Sequence, residues 1–117
     1  MVWRKMRNKE YRDSFVASHV SNTISAQIHS MRKARKWTQE DLASRCDMRQ
    51  SRISGLEGPD FDNVEVATLQ RLASAFDVAL IVQFVPFSEI ARLSSSLKSY
   101  DFNVPDYSSD SKVEEEK

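Results

Sequence analysis

Between Lys9 and Arg35 the apolar positions Phe15, Val16, Val20, Ile24, Ile28 and Met31, with His19 among them, recur at helical spacing, the period that lines one face of a helix. Ser21-Asn22-Thr23 interrupts this stretch with short polar side chains that compete for backbone hydrogen bonds. The pattern therefore predicts a break there, or two helices meeting at an angle. Thr38 then stands where it can accept from a free backbone N–H, and Asp41 follows three residues later. This acidic variant of a capping box predicts a helix from about Gln39. Leu42, Ala43 and Cys46 share a face, but Met48 and Ile53 fall out of phase with them, so the helix is expected to end at Cys46 with Asp47 in the turn. A second short helix is expected over Gln50–Glu57, stopped by Gly58-Pro59, with a loop through Asn63. Val66, Leu69, Leu72, Ala73 and Phe76 restore the spacing of an amphipathic helix that ends near Asp77.

Val78–Val85 reads as a strand. Leu80, Val82 and Phe84 share one face, and Ala79, Ile81, Gln83 and Val85 the other, so both faces are largely apolar. A lone strand leaves its backbone unpaired, and no second strand pattern occurs in the chain. The expected partner is the same strand of a second copy, giving a twofold dimer through Leu80, Ile81, Val82, Phe84 and Val85. An N-terminal segment folding back, or another protein adding a strand, are the alternatives. Ser88 can cap a helix over Glu89–Leu97 with Ile90 and Leu93 or Leu97 inward. Residues 98–117 are rich in Ser, Asp and Glu and are expected to form an acidic, disordered tail. Within it only Tyr100, Phe102, Val104 and Tyr107 offer groups that can dock.

The 117 residues leave room for one compact domain with appendages. The longest apolar run, Val78–Val82, is far too short to span a membrane. A single cysteine, Cys46, suits a reducing compartment, so the cytoplasm is the expected location. Net charge is zero, with 17 basic and 17 acidic residues, but their distribution is lopsided. Residues 1–54 hold twelve Lys and Arg against five acids. A basic front and an acidic rear suit a partner such as nucleic acid.

Two short helices joined by a tight turn, the second rich in Arg, Gln and Ser, form the arrangement that inserts a helix into a major groove. Steeply crossing helices need buried positions, which Leu42, Ala43, Cys46, Met48, Ile53 and Leu56 fill, with Ala43 small where the helices approach. With Gln39, Gln50-Ser51 and Leu56-Glu57 in place and Thr68-Leu69-Gln70-Arg71-Leu72-Ala73 following, the segment 38–57 resembles the helix-turn-helix of the Cro/cI-type (XRE, lambda-repressor-like) DNA-binding family. The resemblance extends over residues 20–77. It implies a mainly all-α fold: a lambda-repressor-like five-helix DNA-binding domain, here with one C-terminal β-strand pairing across a dimer. Residues 1–19 would be a basic helical extension, 20–77 the DNA-binding domain, 78–97 the dimerisation strand and short helix, and 98–117 the tail. Two positions depart from the family pattern. Asp47 stands where a turn glycine is usual, and Gly55 where relatives carry a long base-reading side chain.

Gln50 is the foremost base-reading candidate, because an amide can donate to and accept from adenine together. Arg49 and Arg52 can pair with guanine or phosphate, and Ser51 and Ser54 allow close approach to bases. Thr38 and Gln39, at a helix N-terminus, are expected on a phosphate, flanked by Lys33, Arg35 and Lys36. The resemblance further implies a positioning salt bridge between Arg32 and Glu57. The basic start, Arg4 to Arg12, is open to reading as a DNA-reaching arm or a soluble leader.

Nothing in the sequence points to an enzyme, a cofactor or a metal. His19 and His29 lack partners at ligand spacing and no glycine-rich phosphate loop occurs. His19 is expected to be packed, His29 solvent-facing and Cys46 a small buried hydrophobe. The expected function is a sequence-specific, double-stranded DNA-binding transcriptional regulator, a homodimeric repressor reading a palindrome through helix 50–57. The alternatives are an antitoxin that represses its own operon and binds a toxin protein, or a protein-interaction module that has lost DNA binding.

Overall fold

The computed structural model describes residues 4–59, 61, 63–95 and 102–115. A 3-10 turn (Lys5–Arg7) leads into α1 (Lys9–Ala34), followed by α2 (Gln39–Cys46), α3 (Gln50–Glu57), α4 (Val66–Phe76) and α5 (Ser88–Ser95). A second 3-10 turn (Tyr107–Ser109) and α6 (Lys112–Glu115) close the described chain.

The expected break in α1 is absent, and the helix runs unbroken through its 26 residues. Asn8 starts it, its side chain accepting from the Tyr11 N–H at 3.0 Å. The Ser21 hydroxyl donates back to the Ser18 carbonyl at 3.3 Å, so this side chain bonds within the helix instead of opening it. The boundary expected at residue 19 thus falls inside a continuous helix.

Ile28 and Met31 of α1, Leu42, Ala43 and Cys46 of α2, Ile53 and Leu56 of α3, and Leu72 and Phe76 of α4 form the buried core. Trp37 stacks on Phe76 with ring centroids 5.7 Å apart. Met48, expected inside, is only half-buried at the edge.

Three helices end in the same way. The Trp37 N–H reaches back to the Arg32 carbonyl (3.1 Å), the Met48 N–H to Ala43 (2.9 Å) and the Val78 N–H to Ala73 (3.0 Å). Each closure needs one residue in the left-handed region, supplied by Lys36 (φ 61°), Asp47 (φ 55°) and Asp77 (φ 58°). Aspartate tolerates this conformation at modest cost, as the turn at Asp47 requires, and lysine less well.

No strand forms among the described residues. The chain passes from Val78 to Pro86 without helix, turn or bend, and the backbone of 79–85 makes no hydrogen bond to any described residue. The expected strand is an open path here because no described segment offers it an edge to pair with.

Residues 102–115 are not the free tail expected for that stretch. Val104 packs against the core, the Tyr107 N–H donates to the Asp77 carbonyl at 3.0 Å, and Arg35 donates to the Val104 carbonyl at 3.4 Å. Tyr107 itself stays exposed. Tyr100 and Leu97 lie outside the described residues. A second small cluster joins the ends of the fold: Met6 and Ile90 are buried, and the Arg12 guanidinium lies 5.6 Å from the Phe87 ring centroid. Arg12 also donates to the Met6 and Arg7 carbonyls, so this member of the basic start holds the 3-10 turn in place.

Candidate nucleic-acid interface

Thr38 and Asp41 set the start of α2 through a reciprocal pair. The Asp41 N–H donates to the Thr38 hydroxyl at 3.0 Å, and the Thr38 N–H to the Asp41 carboxylate at 2.8 Å. Hydrogen bonding from Thr38, its backbone N–H first and its side chain second, holds the Asp41 carboxyl below its usual range. The closure at Asp47 then turns the chain so that α3 begins beside the first turn of α2. The two N-terminal glutamines meet, with Gln50 Nε2 donating to Gln39 Oε1 at 2.6 Å. That bond leaves Gln50 one N–H and its carbonyl oxygen, the donor and acceptor an adenine edge requires.

Ile53 and Leu56 anchor α3 on the core, which leaves Arg49, Gln50, Ser51, Arg52 and Ser54 together on its exposed side. Gly55 shares that side, and a Cβ built there meets nothing within 4 Å. Lys33, Lys36 and Thr38 are exposed around the α1–α2 connection, and Gln39 is half-buried by its partner. Arg35 departs from the expected phosphate set. Its guanidinium turns inward to the Phe76 carbonyl (2.9 Å), the Met31 carbonyl (3.1 Å) and Val104, and lies over the Phe76 ring. Bonded to carbonyls in the last turns of α1 and α4, it is a helix-end cap instead of a solvent-facing cation.

Arg32 and Glu57 form the positioning salt bridge, Nε to Oε2 at 2.7 Å and Nη2 to Oε1 at 2.9 Å. Arg32 also donates to the Trp37 carbonyl at 2.8 Å. The pair ties the end of α3 to α1 and to the α1–α2 turn. His29, expected to face solvent alone, brings its Nδ1 within 2.7 Å of Glu57 Oε1, though half its side chain remains exposed. Burial pushes the Glu57 carboxyl up, but hydrogen bonds and charge from Arg32 and His29 outweigh it and hold the carboxyl below the usual range. His29 precedes Arg32 by three residues on one helix, so their shared face was readable from spacing.

Two further cations escaped the sequence reading. Arg71 donates to the Cys46 and Asp47 carbonyls at 2.6 and 2.5 Å, capping α2 from α4. The Arg45 guanidinium sits 4.0 Å from the Trp37 ring centroid. No local pattern marks either contact. Burial pushes the Cys46 thiol up, with Arg71 opposing, as suits a packing residue. Among the described residues no His, Cys, Asp and Glu group suited to a metal occurs, and no helix is long and apolar enough to cross a membrane.

Two short helices crossing at a tight turn, with the second presenting an open polar face held from behind by a buried ion pair, define a DNA-binding helix-turn-helix protein. A family model described as helix-turn-helix matches residues 28–82, from the core-facing half of α1 to the segment beyond α4. That part of the chain is a helix-turn-helix domain. Comparisons with curated proteins and with solved structures gave no match.

Proposed function

We propose that this protein is a sequence-specific regulator of transcription, a dimeric repressor that reads a palindromic operator through α3. The observation that carries this reading is the Gln39–Gln50 amide pair at the paired helix starts, with Arg49, Ser51, Arg52 and Ser54 exposed beside it. Backbone phosphates would be held by Lys33, Lys36, Thr38 and Gln39, supplying affinity that falls with salt. Base edges would be read by Gln50 and its neighbours, supplying specificity. In a dimer the half-sites would lie about 34 Å apart, one helical turn, or a multiple of it.

Selection of binding sites from a random duplex pool tests this, run beside an Arg49→Ala, Gln50→Ala double variant. Enrichment of a palindrome by the native protein alone supports the reading. Failure to enrich at low salt refutes it and favours the protein-interaction reading, for which the exposed Ile81, Val82 and Phe84 are the supporting observation.

A further inference from the structure

The largest feature that DNA reading leaves unexplained is the open segment after α4. Ile81 is 75% exposed, Val82 64%, and Phe84 stands wholly in solvent, with Val85 and Phe87 also exposed. Scaling aromatic areas of ~150–250 Å² and their aliphatic counterparts by these exposures gives on the order of 600 Å² of apolar surface per copy. Exposed apolar surface on that scale, spread over both faces of one segment, is the mark of an interaction site and approaches the ~800 Å² per partner of a standard interface.

Its backbone states which partner fits. The Val78 N–H is already bonded to Ala73, and Pro86 has no N–H. The stretch free to build a ladder is therefore residues 79–85, whose midpoint is Val82. An antiparallel twofold pair centred there sets Val82 against its twin, Ile81 against Gln83 and Leu80 against Phe84. No charged residue occurs from Val78 to Ser88, so two copies meet without like-charge repulsion.

Leu80, Val82 and Phe84 share one face of this path, and Leu80 lines an apolar groove with Ile24, Ile28, Leu69 and Leu72 between α1 and α4. We propose that a second copy of this chain pairs with residues 79–85 about Val82 and seats its Phe84 beside Leu80 over that groove. This rests on the dimeric reading above and adds its register and its anchor. Each copy supplies the aromatic ring that covers the other's groove, and each gives its unpaired backbone a partner.

The test combines sedimentation equilibrium with oxidative cross-linking of the full chain. Phe84→Ala is expected to weaken dimerisation by at least about 30-fold. Phe84 touches nothing that packs, so the variant's helical circular dichroism should match the native chain. Val82→Cys should form an intermolecular disulfide, since directly opposed residues bring their Cα atoms to about 4.5–5.5 Å. Gln83→Cys should not, and the native chain is the blank because Cys46 is buried. A native dimer that keeps its affinity in Phe84→Ala, or that cross-links no better through residue 82 than through 83, overturns the register and anchor while leaving dimerisation standing. A native chain that is monomeric both free and on DNA overturns the dimeric reading along with them.

Discussion

Replacing Glu57 by alanine removes the acceptor from a guanidinium whose side chain is only 8% exposed. Breaking such a buried pair from one side costs about 3–5 kcal/mol, because the remaining charge is left poorly compensated. Arg32 keeps its bond to the Trp37 carbonyl, which places the expected loss near the lower end, about 3 kcal/mol. For a domain of this size that lowers the melting temperature by roughly 10–25 °C. Chemical denaturation of Glu57→Ala, Arg32→Met and the Arg32→Met, Glu57→Leu double variant measures it. The double variant should lose less than the sum of the singles by about 2 kcal/mol, since it leaves no lone charge. Additive losses, or a Glu57→Ala loss below about 1 kcal/mol, would refute the claim that this pair holds α3 on α1. Acid provides the second arm. Glu57 is held below its ordinary range in the folded chain, so the unfolded chain binds more protons at mildly acidic pH. The associated stability is complete above the unfolded carboxyl pKa of about 4.3 and is lost as pH falls through the lower folded value. Glu57→Gln should flatten that acid limb.

Gly55→Ala should stabilise the chain by about 0.5–1 kcal/mol in a thermal melt, because its φ is not positive and its Cβ has open space; a lower melting temperature would show that the α3 backbone is misread. Asp47→Gly removes a side chain from the left-handed region and should gain about 0.5–1 kcal/mol with no change in helix content. Lys36→Gly separates two roles of one residue: stability should rise as its φ of 61° is relieved, while binding to all sequences weakens and the salt slope drops by about 1. Gln50→Ala should instead cost about 1–3 kcal/mol on the preferred site and little on random DNA, read by competition binding.

The contrast between Gln50 and Arg35 shows where reading the chain succeeds and where it stops. Thr38 with Asp41, the phase slip at Asp47, and the Gly58-Pro59 stop involve residues within a turn of one another, so capping and periodicity alone place α2 and α3 and the exposed residues 49–52 and 54 beside their buried anchors. Arg35 carries the same charge as Lys33 and Lys36 and sits among them. Its direction depends on the Phe76 carbonyl, 41 residues away, and nothing nearby in the chain announces that acceptor. The same holds for Arg71 on the end of α2 and for Val104, which takes an otherwise acidic, polar segment back to the core.

The chain's own spacing therefore determined the helix-turn-helix, its core and the side of α3 that faces outward, because helix starts, stops and amphipathic faces are settled by neighbours three or four positions apart. Only the tertiary structure decided that α1 runs unbroken, that Arg35 turns inward to helix-end carbonyls and Arg71 closes the end of α2, that His29 joins Arg32 on Glu57, and that the backbone of residues 79–85 bonds to no described residue. Each of those outcomes turns on which backbone carbonyl, carboxylate or free edge lies within hydrogen-bond reach across the fold, a distance that sequence separation does not encode.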